Sequence, residues 1–227
     1  LSRLKLRIRQ NNTQKLIQKY IDEQAKKQGI KSSQVEEIAA YDYGLDHGVR
    51  VDQFDDYTFE IELISIGQVE QRWIKPDGSP QKTVPSFIKG SEKHTNKLKK
   101  LKDLAKQVKQ ASTTQRDRID RLYLENLSWN REDFEKYYLN HGLISIISKR
   151  LIWSIDNQPA LFIDNKWIDE NSNEVTYSDS STIHLWHPIE SDSKTVLSWR
   201  NLLIQYEIKQ PLKQAYREIY LLTDAEI

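Results

Sequence analysis

From Ser91 to Leu127 the chain contains neither glycine nor proline. Nothing in that stretch interrupts a helix, so one helix of more than thirty residues is expected. Leu98, Leu101, Ala105, Val108, Ser112, Gln115, Ile119 and Leu122 recur at a three-four spacing, the seam of a coiled-coil-like packing. The seam is polar at Ser112 and Gln115, and packing is expected to be weakest there. Between Lys93 and Lys109 stand seven lysines against the single Asp103. Lys99, Lys102, Lys106 and Lys109 share one side of the helix, a stripe about 15 Å long at about 1.5 Å per residue. Such a stripe could lie along phosphates and release counterions. The plainer reading is a solvated face whose lysine stems cover the seam. No aromatic residue falls between Phe87 and Tyr123, so the interleaving that stacks single-stranded bases is missing.

Upstream, Leu16, Ile17, Tyr20 and Ile21 mark a first helix that should stop at Gly29, where a left-handed cap is easiest. Ser33 with Glu36 reads as a capping box for a short second helix. Tyr57, Phe59, Ile61 and Leu63 alternate with polar residues as in a half-buried strand, and Val69 to Ile74 forms a second. Pro76-Asp77-Gly78 supplies a turn, and Gly44 to Pro85 reads as a small antiparallel patch. Downstream of the long helix, Asn130 begins a shorter one ending at His141-Gly142. Leu143 to Ile147 is ambiguous. The runs LIWSI, ALFI, KWI, EVTY and IHLW, set between Asn, Asp and Ser clusters from Leu151 to Trp186, read as a β-meander.

The last stretch carries most of the candidate site residues. Ile183 to His187 should be a strand, ended by Pro188. Leu197, Leu202, Leu203 and Tyr206 recur at helical spacing, and Pro211 reads as the start of a last helix. That helix would turn Leu212, Ala215, Tyr216, Ile219 and Leu222 inward and Gln210, Lys213, Gln214, Arg217 and Glu218 outward. The outer face offers two amides, a guanidinium and an ammonium beside one carboxylate, groups suited to directed hydrogen bonds. It is either a solvated surface or a face that grips the β-meander, an adjoining domain or a protein partner. His184 and His187 are three apart in a strand, so their imidazoles point to opposite faces and make a poor metal pair. His187 with Glu190 could form an acid-base pair across the Pro188 corner.

Several functions are excluded. There is no cysteine, hence no thiolate metal site, disulfide or cysteine nucleophile. The seven glycines include no dinucleotide loop, phosphate loop or nucleophile elbow, and there is no H-E-x-x-H. A net charge of +1 carries no global message. No apolar run approaches the roughly 20 residues of a membrane span. Absence of cysteine fits a reducing cytoplasm. With no methionine, even at position 1, the chain reads as a piece of a longer protein.

IHLWHPIE, QPLKQAYREIYLLTDAE and KRLIWSI, with GLDHGVRV and KPDGSPQKTVP upstream, resemble the bacterial MolR-type domain of unknown function. The likeness runs from about residue 20 onward. It implies a module of a long multidomain protein, often beside a WGR domain, although this chain lacks the Trp-Gly-Arg tripeptide. It implies no catalytic residues.

The expectation is therefore an α+β fold: a long helix or helical hairpin with flanking helices, a small N-terminal antiparallel patch and a C-terminal β-meander. One domain over 1–227 is expected, with sub-parts 1–90, 91–150 and 151–227. The favoured function is a non-enzymatic interaction or regulatory module without metal or cofactor, its face formed by His187, Glu190, Gln210, Lys213, Gln214, Arg217 and Glu218. The alternative is nucleic-acid contact through Lys99, Lys102, Lys106 and Lys109, and the third reading an enzyme with a pocket near His187.

Overall fold

The computed structural model describes residues 11–125 and 127–218. The fold is α+β, with helices and two antiparallel sheets. The chain divides into two compact units, Leu1–Arg118 with Asn140–Ile146, and Ile119–Leu139 with Ile147–Ile227.

In the first unit, α1 (Asn11–Gln28) buries Ile17, Ile21 and Ala25, a one-sided stripe four residues apart. Leu16 and Tyr20, read as part of that stripe, are exposed. Gly29 stops the helix at φ +68°. Helix α2 (Ser32–Ile38) starts two residues earlier than the Ser33 box requires. Its cap is Lys31, whose backbone N–H donates to Gln34 Oε1 at 2.9 Å.

Strands β1 (Val49–Phe54), β2 (Tyr57–Ser65), β3 (Gln68–Ile74) and β4 (Pro80–Gln81) follow one another as an antiparallel sheet. The alternation in β2 puts Phe59, Ile61 and Leu63 on the buried face, and Phe59 pairs with Trp73. Helix α3 (Glu92–Arg121) covers that face, with Leu98, Leu101 and Ala105 packed into the same core as Phe54, Phe59, Ile61 and Trp73.

Helix α3 is 30 residues long and unbroken at Ser112. Its seam residues are buried except the half-buried Gln115. Ser112 does not weaken the packing as expected: its hydroxyl is buried, accepts from Gly67 N–H at 2.9 Å and donates to the Lys109 carbonyl at 2.8 Å. The polar seam residue ties the β2–β3 turn to the helix. The helix gives way to a 3-10 turn at Leu122–Leu124, short of Leu127, because cover runs out: Leu122 is buried and Leu124 exposed. Arg118, unnoticed in the sequence, is buried with Glu37 at 3.6 Å.

Residues 140–146 complete this unit. Gly142 O accepts from Gly48 N–H at 2.8 Å, and a Cβ at Gly142 would stand 2.0 Å from Leu45 O. His141 Nδ1 accepts from the N–H groups of Leu143 and Ile144, both at 3.2 Å, so its proton resides on Nε2, facing the Ala40 carbonyl at 3.5 Å.

In the second unit, β5 (Ser128–Trp129), β6 (Ile152–Ile155), β7 (Gln158–Ile163), β8 (Lys166–Ile168) and β9 (Ile183–Leu185) form an antiparallel sheet of order β5-β9-β6-β7-β8. Only β6-β7-β8 is a meander. Asp156-Asn157 and Asp164-Asn165, all at positive φ, close its two tight hairpins. The expected strand EVTY contributes a single bridge, Ile168 to Glu174. Beyond it the chain passes to the other side of β6, where β9 pairs. The serine-rich connection from Ser178 to Ser181 bonds within itself and makes no two-residue hairpin turn.

Strand β6 is buried throughout. Trp153 joins Trp129, Phe134 and Tyr138 in a cluster of ring contacts. Ile152 joins Leu161, Trp186 and α6 (Ser193–Gln205), whose buried stripe is Val196, Trp199, Leu202 and Leu203. The expected helix from Asn130 is a single α turn, α4 (Arg131–Phe134), relaxing into a π turn at Glu135–Leu139. The ambiguous apolar run holds a short helix, α5 (Ser145–Ser148).

Burial, opposed by the Ala40 carbonyl and Asp42, holds the His141 pKa below the ordinary histidine value. The unfolded chain therefore binds the extra proton first as pH falls. Stability should fall as pH drops through the ordinary value near 6.5, and this contribution should level off below the lowered folded pKa. Urea denaturation from pH 8 to 5 should show this slope, and His141→Asn should reduce it.

Candidate functional site

The chemistry-bearing end of the second unit begins after β9, which ends at Leu185, two residues short of the expected His187, with Pro188 following. Proline removes a ladder donor and holds His187 extended, at φ −113° and ψ 137°. A 3-10 turn, Pro188–Glu190, follows. His187 Nδ1 accepts from Ile189 N–H at 3.1 Å, and Glu190 Oε1 accepts from His187 N–H at 3.2 Å. Both side chains cap the turn. Burial first, then Arg217, pushes the His187 pKa down.

The imidazole against Glu190 is that of His184, with Nε2 3.1 Å from Glu190 Oε2. The acid-base pair imagined for His187 is thus formed by the other histidine. The 3-10 turn folds Glu190 back over β9, an arrangement that strand geometry alone does not reveal. Among the described residues no cluster of three or more His, Cys, Asp or Glu could hold a metal ion.

The residues expected on the last helix lie on a different frame. Residues 211–218 are bends and turns, so no helix starts at Pro211 within the described chain, and Ile219 and Leu222 lie outside it. Glu207 at φ +52° ends the path from α6. Gln214, expected outside, is fully buried. Its Oε1 accepts from Ile152 N–H at 2.8 Å, while Nε2 donates to the carbonyls of Ile152 at 2.7 Å and Trp186 at 2.9 Å. Gln210 Nε2 donates to the same Oε1, and Gln210 Oε1 accepts from Ala215 N–H. A helix would turn the Gln214 amide away from the sheet; the observed turns bring it to the backbone of β6.

Lys213 and Glu218 pair with each other at the surface. Arg217 donates to Asp120 at 2.6 Å and lies 4.3 Å above the Tyr123 ring, against which His187 sits edge-on at 5.2 Å. The expected face is therefore divided. Gln210 and Gln214 serve the interior, Arg217 and His187 meet around Tyr123, and Lys213 and Glu218 face water.

Arg217 and Glu218 also border a cleft of 660 Å³ shared with Ile189, Val196, Leu197, Arg200 and Tyr216. Asp192 marks its rim and caps α6, accepting from Thr195 N–H at 2.7 Å. The cleft was missed because its walls come from the 3-10 turn, α6 and the irregular segment. The legible signal was the apolar Leu197, which belongs to the cleft and not to the core.

The alternative site lies in the first unit. Lys99, Lys102, Lys106 and Lys109 are all exposed along α3. Lys106 meets Asp103 at 3.1 Å.

A family model described as a domain of unknown function, DUF4132, matches residues 78–227. The chain is similar to the uncharacterized protein YehI of Escherichia coli (strain K12), 25% identical over 157 residues. That match covers 64% of this chain and 13% of the relative's length. No solved structure matches the chain. Among the described residues no helix is long and apolar enough to cross a membrane.

The two kinds of polar residue near residue 214 should respond differently to truncation. Gln214→Ala strands buried backbone groups and should cost roughly 2–4 kcal/mol. Arg217→Ala removes a partly exposed pair and a ring contact and should cost about 0.5–1 kcal/mol. Urea denaturation of the two variants measures both.

Proposed function

We propose that this chain, which belongs to the DUF4132 family of domains of unknown function, is a non-enzymatic docking module. Its occupant is another segment of the same much longer protein. The observation that carries this reading is three exposed apolar side chains lining one cleft: Ile189 at 57%, Leu197 at 55% and Tyr216 at 45% exposure. Single exposed apolar residues are ordinary, but a group around a concavity is a feature of interaction sites. Beside them Arg200 lies over the Tyr216 ring at 5.2 Å, spends Nε on the Ala215 carbonyl, and has no ion-pair partner among the described residues. The matching segment presents an apolar side chain next to a carboxylate. The relative's length supports an occupant in the same polypeptide, since the match accounts for 13% of it. A MolR-type kinship, WGR neighbours and a cytoplasmic setting belong to the same reading.

The test supplies the remaining segments of the parent protein in trans and measures binding by calorimetry. One segment should bind, and Leu197→Asp or Arg200→Glu should weaken it at least about tenfold, or about 1.4 kcal/mol. No binding by any segment, or binding indifferent to both substitutions, sinks the reading.

A second reading rests on the exposed Lys99, Lys102, Lys106 and Lys109 stripe. It expects retention on nucleic-acid polymer that declines steeply with salt and is abolished by changing the four lysines to Glu. Lack of retention at low salt removes it.

A further inference from the structure

The first unit contains a cavity that shares Lys102 and Lys106 with the lysine stripe but has walls that neither reading uses. It measures 470 Å³ and is lined by residues of β2, β3 and α3 and of the segment after β4. Trp73 and Phe59, cross-strand partners, form its floor with Val84. Gln71, two residues before Trp73 on the same strand face, adds an amide. Three ammonium groups border it: Lys82, from the segment after β4, and Lys102 and Lys106, one turn apart on α3. No carboxylate belongs to the lining. Lys82 and Lys102 have no ion-pair or hydrogen-bond partner among the described residues, while Lys106 reaches only the exposed Asp103.

Three cations around one apolar-floored concavity repel one another unless an anion sits among them. The volume lies within the range of small-ligand sites, which combine apolar walls with a few convergent polar groups. Lysine ammoniums bind phosphate as point charges without a fixed fork. The apolar floor has nothing to offer a bare inorganic anion, while the Gln71 amide can donate to a phosphate or accept from a ligand's body.

We infer that this cavity binds a small phosphorylated ligand with a planar or apolar body, the chemistry of a nucleoside diphosphate, with the phosphates among Lys82, Lys102 and Lys106 and the body over Val84 and the Trp73 edge. The sequence showed a lysine stripe without aromatics. The fold supplies them from β2 and β3, which face Lys102 and Lys106 across the cavity.

The test is calorimetric titration of the full chain with ADP, GDP, CDP and UDP, and with pyrophosphate and adenosine as separate arms. At least one diphosphate should bind at least tenfold more tightly than both pyrophosphate and adenosine. Lys82→Gln and Lys102→Gln should each weaken it about tenfold. Lys99→Gln and Lys109→Gln, on the same helix but outside the cavity, should leave it unchanged. All four positions are exposed, and circular dichroism of each variant confirms that the comparison is between folded proteins. Absence of binding by all four diphosphates at 1 mM overturns the inference. Equal binding of pyrophosphate also overturns it, because the floor then contributes nothing. Equal loss in the Lys99 and Lys109 variants overturns it as well, assigning binding to diffuse charge along α3.

Discussion

The first unit depends on one approach that only glycine permits. Residues 140–146 belong to it although twenty-one residues of the other unit separate them from Arg118 in sequence. They are held where Gly142 lies against the Leu45 carbonyl, with no room for a Cβ, and accepts the Gly48 N–H. Gly48 in turn uses φ +88° and its own carbonyl receives Leu63 N–H, at the end of β2. The register of the sheet and the return of the chain therefore meet at two residues without side chains. His141, beside this contact, turns its ring to accept from the backbone N–H groups of Leu143 and Ile144.

Where one physical rule decided the structure, the sequence was readable. The α3 seam, the alternation of β2 and the Pro76-Asp77-Gly78 turn all appear where periodicity and turn chemistry place them. Reading failed where a side chain far away in sequence settles the outcome. The serine at 112 interrupts the apolar seam, and nothing nearby in sequence shows that Gly67 N–H makes it a tether. EVTY has strand composition, but the path to β9 leaves it one bridge. Pro211 looked like a helix start, yet a backbone requirement of β6 outweighs the local propensity from residue 211 to 218.

The candidate site was legible as a neighbourhood and not as an arrangement. The stretch around His187, Glu190 and Arg217 does form the chemically dense end of the second unit. Which groups meet there was hidden, because a 3-10 turn brings His184 to Glu190 and a ring stack brings Arg217 to Tyr123. The lysines on α3 were equally visible, while the aromatic floor beside two of them comes from strands more than twenty residues earlier.

Gln214 does for the irregular segment what a neighbouring strand would do for a sheet edge: one amide answers both the N–H and the carbonyl of Ile152 and reaches Trp186 as well. An amide does not titrate and is barely sensed by dissolved ions. Three residues on, Arg217 and Asp120 hold the same segment by charge, partly open to water. The segment thus has one fastening indifferent to ionic strength and another that loosens as salt rises. Residues 215–218, including Tyr216 at the cleft, can respond to their ionic surroundings while the sheet beneath them stays closed.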